Sequence, residues 1–304
     1  MIPDYQSIML PLLRQVSDKG EYKFRDIIEG LAKQFGLTDD ERKELLPSGV
    51  QPIFDNRVGW AKTYLKKAGL IDTPKRATVT ITTRGLEILK KNLDSINVKF
   101  LKQFPEFVEF QTAKRGDEEI ETETTEEQST QTPEETLETA YQKIRKSLAQ
   151  DLINRVMTLS PAFFERLVVE LLVKMGYGGS IKDAGKAIGK SGDEGIDGTI
   201  KEDKLGLDII YIQAKRWQPG NVVGRPELQK FVGALAGQGA KKGIFITTSS
   251  FTRDALDYVP RNETKIVLLD GEQLAQLMID YNLGVTSVSS YEVKRIDSDY
   301  FGEE

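Results

Sequence analysis

The 304-residue chain contains no cysteine and no histidine. The first absence excludes disulfides, thiolate zinc sites and cysteine nucleophiles. The second excludes imidazole general bases, Ser-His-Asp triads and the usual zinc or iron centres. Any metal must therefore sit among oxygen ligands, which favour Mg2+, Ca2+ or Mn2+. Long apolar runs are missing too, since none approaches the roughly 18–20 residues needed to cross a bilayer. The opening MIPDYQSIML lacks a basic stretch, an apolar core and a small-residue cleavage site, so no secretory leader is read there and a cytoplasmic location is expected.

What is present is ordinary in bulk and uneven along the chain. Hydrophobic residues make up 39% and charged residues 29%, the composition of a soluble globular protein. The length has room for two domains of about 100–200 residues each. The net charge of −5 is concentrated. Residues 1–104 hold 18 Lys and Arg against 13 Asp and Glu, residues 105–140 hold 2 against 12, and residues 141–304 hold 22 against 22. The acidic stretch is rich in Glu, Thr and Gln and poor in apolar residues, so residues 105–140 are expected to form a flexible, self-repelling linker. The basic segment ahead of it suits a polyanionic partner.

Upstream of the linker, apolar residues recur at helical spacing over Tyr5–Val16, Phe24–Phe35 and Asp40–Leu46. A fourth helix is expected over Asn56–Leu70, closed by Gly69, followed by a basic turn with Lys75 and Arg76, a strand over Thr78–Thr83 and a helix over Gly85–Leu93. Helices, a basic helix and then a ribbon is the winged-helix order. Asn56, Arg57 and Lys67 are candidate groove or phosphate contacts, and Lys75 and Arg76 candidate wing contacts. Trp60, on the same helix, reads more readily as a core aromatic.

Downstream, Ser160 and Pro161 open a helix running through Met175. Strand candidates follow at Gly195–Ile200, Leu207–Lys215, Lys242–Thr248 and Lys265–Leu269, with helices over Arg225–Gly237 and from Thr252 and Gly271. That alternation predicts a mixed α/β sheet with helices on both faces. Gln213 and Lys215 are two residues apart on one strand, so they share a face. A turn around residues 201–207 folds Asp197 back beside them, and Glu165 on the preceding helix can point to the same edge. Glu170 on that helix is the alternative acid, and the Ala214 carbonyl can add an oxygen. Two carboxylates, an amide oxygen and an ammonium suit phosphodiester hydrolysis with a divalent cation, without histidine or cysteine.

Phe164-Glu165, Glu170-Leu-Leu, Gly176-Tyr177, Gly192-Asp-Glu-Gly-Ile-Asp-Gly198 and Gln213-Ala-Lys215 together resemble the catalytic domain of the Mrr family of restriction endonucleases, within the PD-(D/E)xK nuclease superfamily. Val223-Gly-Arg-Pro-Glu-Leu-Gln229, Gly233–Gly237 and Gly243–Thr248 continue the likeness, and Asn56–Ala61 with Leu65–Leu70 extends it to the N-terminal half. The resemblance implies a winged-helix domain over residues 1–104, the linker over 105–140, and a PD-(D/E)xK nuclease over 141–304. It implies that Asp197 is a ligand of Mg2+, with Mn2+ as a substitute, that Glu165 is the helix-borne acid, and that Lys215 is the motif lysine. Gln213 stands where the superfamily more often has Glu or Asp. The resemblance further implies cleavage of double-stranded, methylated DNA by a homodimer or homotetramer that works in the cytoplasm and on the nucleoid, with no membrane.

Two other readings remain. A DNA-binding regulator with a degenerate nuclease fold would also carry Gln213. The segment Ala184-Gly-Lys-Ala-Ile-Gly-Lys-Ser191 mimics a phosphate-binding P-loop, but glycine and a strand follow it where a P-loop needs a helix. Its Lys186 and Lys190 read better as phosphate contacts beside the catalytic turn.

Overall fold

The computed structural model describes residues 1–112, 130–178, 195–203, 205–218, 220–259, 264–294, 296 and 300. Lys186, Lys190, Asp193 and the P-loop-like segment lie outside the described residues. Two compact units emerge: Met1–Lys143 with the described residues from Lys294 onward, and Ile144–Val293. Among the described residues no helix is long and apolar enough to cross a membrane.

The first unit is built on α1 (Tyr5–Gln15), whose first turn is capped by Asp4 accepting from the Gln6 and Ser7 N–H groups at 2.9 and 3.0 Å. Its stripe of Tyr5, Ile8, Met9, Leu12 and Leu13 is buried against Ile27 and Leu31 of α2 (Phe24–Gln34) and against Phe54, Val58, Ala61 and Leu65 of α4 (Ile53–Lys67). Gly69 ends α4 at φ +68°, where a side chain would be strained, and Gly69 N–H and Leu70 N–H return to the Lys66 and Leu65 carbonyls. The strands β1 (Tyr22–Lys23), β2 (Ile71–Asp72) and β3 (Thr78–Ile81) form an antiparallel sheet in the order β1-β3-β2. Helix α5 (Thr83–Leu89) follows.

Three elements depart from the sequence expectation here. The helix expected over Asp40–Leu46 is the short α3 (Asp39–Lys43), fixed by a Thr38–Glu41 capping box and stopped by extended backbone at Glu44. The helix expected from Asn56 begins three residues earlier. The ends of the supposed flexible linker are helical: after α6 (Val98–Leu101) come α7 (Pro105–Thr112), with Phe107 fully buried against Tyr64, and α8 (Pro133–Met157). Average composition hid this, because Phe107 and Phe110 anchor α7 and Pro133 sits at a helix start, where its missing N–H costs nothing.

The second unit is a four-stranded sheet in the order β4 (Gly198–Lys201), β5 (Ile209–Lys215), β6 (Lys242–Thr247) and β7 (Lys265–Leu269). The β4–β5 pair is antiparallel and the others parallel, as the mixed-sheet expectation required. Ile210, Ile212, Ile244 and Ile246 face one way, into a core closed by α8, α9 (Pro161–Lys174) and α12 (Gly271–Asp280). Tyr211 and Phe245 face the other way, toward α10 (Arg225–Gly237) and Ala255 of α11 (Arg253–Tyr258). Side-chain alternation along β5 therefore puts Gln213 and Lys215 on the α10 side, at the strand's carboxyl end.

Candidate active site

The chain enters β4 through a glycine turn and meets the end of β5. Asp197 N–H donates to the Ile212 carbonyl at 2.8 Å, one residue ahead of the Gly198–Ile212 pair at which the β4–β5 ladder begins. Asp197 Oδ2 then accepts from Gln213 Nε2 at 2.6 Å and from Ala214 N–H at 2.7 Å. The carboxylate thus satisfies a backbone donor of β5 beyond the end of β4. Gly195 makes the turn possible. Its φ is +108°, and a Cβ there would lie 3.1 Å from Gln213 Oε1. Gln213 itself is 2% exposed, so its amide orientation is dictated by these neighbours.

An extended residue sends its N–H and C=O to the same side. Ala214 N–H points to the β4 side, so its carbonyl does as well, beyond Gly198 where β4 begins. Lys215 shares the Gln213 face and is half-buried. Its backbone is pinned by Thr247 Oγ1 and Thr248 N–H, which donate to its carbonyl at 2.9 and 3.3 Å. Among the described residues its amine has no hydrogen bond or ion pair, and Asp197 Oδ1 likewise has no partner.

Glu165 lies in the first turns of α9 and is half-buried, whereas Glu170 is exposed. Burial, and then the Asp197 carboxylate, push the Glu165 carboxyl above the ordinary glutamate range. Of the two acids left open by the sequence, Glu165 is the one within electrostatic reach of Asp197. Among the described residues no group of three or more Asp or Glu side chains could hold a metal. The available oxygens are two carboxylates, one amide and one backbone carbonyl. A hard divalent cation fits that set, because it would relieve the like-charge pair that raises Glu165.

Arg216 follows Lys215 at the end of β5. Its Nη1 donates to the carbonyl of Met157, the last residue of α8, at 2.6 Å, while among the described residues its buried Nε has no acceptor. Trp217 and Arg225, which follow β5, make packing contacts. Trp217 packs on the α10 side and accepts Thr248 Oγ1 at 2.7 Å, and Arg225 lies over the Tyr258 ring at 5.0 Å.

The expected DNA contacts divide. Lys75 and Arg76 are exposed on the turn between β2 and β3, with Lys75 Nζ 2.9 Å from Glu21, and Lys67 is exposed over the Phe110 ring at 5.0 Å. Asn56 and Arg57 are not presented outward, contrary to expectation. Asn56 is 3% exposed and accepts Thr132 Oγ1 at 2.6 Å. Arg57 binds Glu135 Oε1 at 2.8 Å and the Ile2 and Pro3 carbonyls at 2.9 and 3.1 Å. Trp60, partly buried, gives Nε1 to Glu134.

These assignments can be set beside known proteins. A family model described as a restriction endonuclease matches residues 156–278, and one described as the Mrr N-terminal domain matches residues 5–91. The chain is 39% identical over 314 residues to the type IV methyl-directed restriction enzyme EcoKMrr of Escherichia coli K12, covering 99% of each protein. Among solved structures, the DNA modification-dependent restriction endonuclease AspBHI aligns with TM-score 0.35 and 17% identity, over 46% of this chain and 36% of that one. The MspJI restriction endonuclease in complex with a 27-mer oligonucleotide aligns with TM-score 0.29 and 18% identity, over 68% and 49%. Neither structural likeness is close enough to carry an argument, but the full-length identity is. The chain belongs to the Mrr family of restriction endonucleases and is a DNA endonuclease.

Proposed function

We propose that the chain cleaves double-stranded, methylated DNA by Mg2+-dependent phosphodiester hydrolysis. It reads DNA with a winged helix over residues 1–104 and cuts with a PD-(D/E)xK nuclease over residues 141–304, residues 105–140 joining the two. The full-length relative's description as methyl-directed supports the substrate. The order of α1, β1, α2, α4, β2 and β3, with a three-stranded antiparallel sheet, supports the winged helix, with α4 as reader and Lys75 and Arg76 on the wing.

The observation that carries the chemistry is the Asp197 carboxylate, locked to Gln213 and Ala214 and charge-coupled to Glu165. Asp197, Glu165, Gln213 Oε1 and the Ala214 carbonyl would hold Mg2+, with Mn2+ as a substitute. Gln213 Nε2 is engaged by Asp197 Oδ2, which leaves Oε1 as its ligand atom. Bound there, the cation neutralises charge growing on the phosphate and lowers the pKa of a water. The Lys215 ammonium offers three donors to orient that water and a phosphate oxygen. The water oxygen bonds to phosphorus and gives up a proton, the P–O bond to the leaving sugar breaks, and the leaving oxygen takes up a proton in return. A double-strand cut needs this site twice, so the working form is a homodimer or homotetramer acting in the cytoplasm and on the nucleoid.

Purified protein with Mg2+ is expected to cut members of a panel of adenine- and cytosine-methylated plasmids. Lys215→Ala and Asp197→Ala should each lose cutting by about 10³-fold or more, the scale of removing one transition-state stabiliser, while duplex binding persists. Undiminished cutting by both variants would refute the site.

A further inference from the structure

The helix read here as the DNA reader is already occupied from within its own unit. Thr132 caps α8 reciprocally: Thr132 N–H donates to Glu135 Oε2 at 2.7 Å and Glu135 N–H to Thr132 Oγ1 at 3.2 Å. The cap is seated on α4. Thr132 Oγ1 gives its proton to Asn56 Oδ1 at 2.6 Å, Glu135 Oε1 takes Arg57 Nε and Nη2 at 2.9 and 2.8 Å, and Glu134 takes Trp60 Nε1. The contact is dry: Thr132 is 0%, Asn56 3% and Glu135 7% exposed. On the last turns of α4, α7 sets Phe110 under Lys67 and Phe107 against Tyr64. Helix α7 and the first turns of α8 are the two described flanks of the stretch that holds 12 acidic residues against 2 basic ones.

The groups this cap engages are the ones suited to nucleic acid. One carboxylate oxygen takes two Arg57 donors that a phosphate could accept instead, and a hydroxyl fills the Asn56 oxygen. We propose that the first turns of α8 are an intramolecular guard, and that duplex DNA and this acidic helix compete for Asn56 and Arg57. The inference rests on α4 being the reader. A buried ion pair is screened less by salt than a phosphate contact at the surface, so the guard gains on DNA as ionic strength rises. Weak, purely electrostatic duplexes are then excluded, and only a sequence that adds base-edge contacts displaces it.

The test uses the full-length chain carrying Thr132→Ala, Glu134→Gln and Glu135→Gln together, with and without Arg57→Ala, titrated with methylated and unmethylated duplex over a salt series. The guard predicts roughly tenfold tighter binding in the triple variant, within the usual range of coupling between two sites. For the unmethylated duplex, which leaves the guard in place in the parent, it also predicts a salt slope steeper by about one unit in the triple variant, as Arg57 becomes available to phosphate. Arg57→Ala should cost little alone and most of the gain in the triple background. Unchanged or weaker binding by the triple variant, with Arg57→Ala weakening the parent, overturns the guard and leaves α4 as reader. If Arg57→Ala is silent in both backgrounds, α4 is not the reader, and the winged-helix reading falls with it. A second measurement needs no variant: amide exchange over Thr132–Thr139 in the unmodified protein should quicken when duplex is added. Unchanged or slower exchange there also overturns the proposal.

Discussion

Replacing Gln213 by glutamate tests the geometry of the site most directly. Gln213 is 2% exposed and its Nε2 lies 2.6 Å from Asp197 Oδ2. In Gln213→Glu a carboxyl oxygen takes the place of that donor. If both groups ionise, a charge-assisted hydrogen bond worth about 1.5–3 kcal/mol is lost. Two like charges about 4 Å apart at an effective dielectric near 20 add roughly 4 kcal/mol of repulsion. The pair evades part of this by keeping one proton, so the folded pKa of the new carboxyl rises above its unfolded value of about 4.3. A raised folded pKa gives stability that is whole below the unfolded value and is lost as pH climbs through the folded one. The variant should therefore match the parent near pH 4 and fall behind by about 3 kcal/mol at neutral pH, or roughly 6–12 °C in Tm for a unit of this size. Mg2+ reverses the order, because two facing carboxylates bind a hard cation better than a carboxylate and an amide, and ligand binding stabilises by mass action. The assay is thermal melting from pH 4 to 8, with and without Mg2+, with plasmid cleavage in parallel. A Tm difference that is flat across pH and indifferent to Mg2+ would refute the claim that residues 197 and 213 share one cation site.

Two further outcomes follow from the same edge. Burial and Asp197 raise the folded pKa of Glu165, so the parent loses stability as pH rises through that value. Glu165→Gln should thus gain stability relative to the parent above about pH 4.5 while losing cleavage, and a constant offset across pH would contradict the placement of Glu165. Gly195→Ala forces a side chain onto φ +108°, 3.1 Å from Gln213 Oε1. It should cost about 1–3 kcal/mol in denaturant unfolding and depress cleavage beyond what stability explains; wild-type values for both would show that the turn does not hold the site.

The site was unusually legible in the chain because β-strand alternation is a local rule. Two residues on one strand, two apart, must share a face, and a short hairpin must return its first strand to the second; Gln213, Lys215 and Asp197 needed nothing more. Helix α4 was legible as a helix and misread as a surface. Asn56 and Arg57 are polar residues on a basic helix, and nothing within Ile53–Lys67 says that Thr132 and Glu135, more than seventy positions later, fold back onto them.

Composition and local periodicity by themselves excluded thiol and imidazole chemistry and set out most helices and strands and the residues of the carboxylate–amide–lysine edge. Tertiary structure alone decided that burial and the Asp197 charge raise Glu165, why residue 195 must be glycine, and that the flanks of the acidic stretch are helices packed on α4. The division has one cause. Residues near in sequence are constrained by backbone geometry that any reader of the chain can apply, whereas a buried carboxylate such as Glu135 finds its Arg57 only through a loop closure whose entropic cost rises slowly with length. Local sequence records no trace of such a partner.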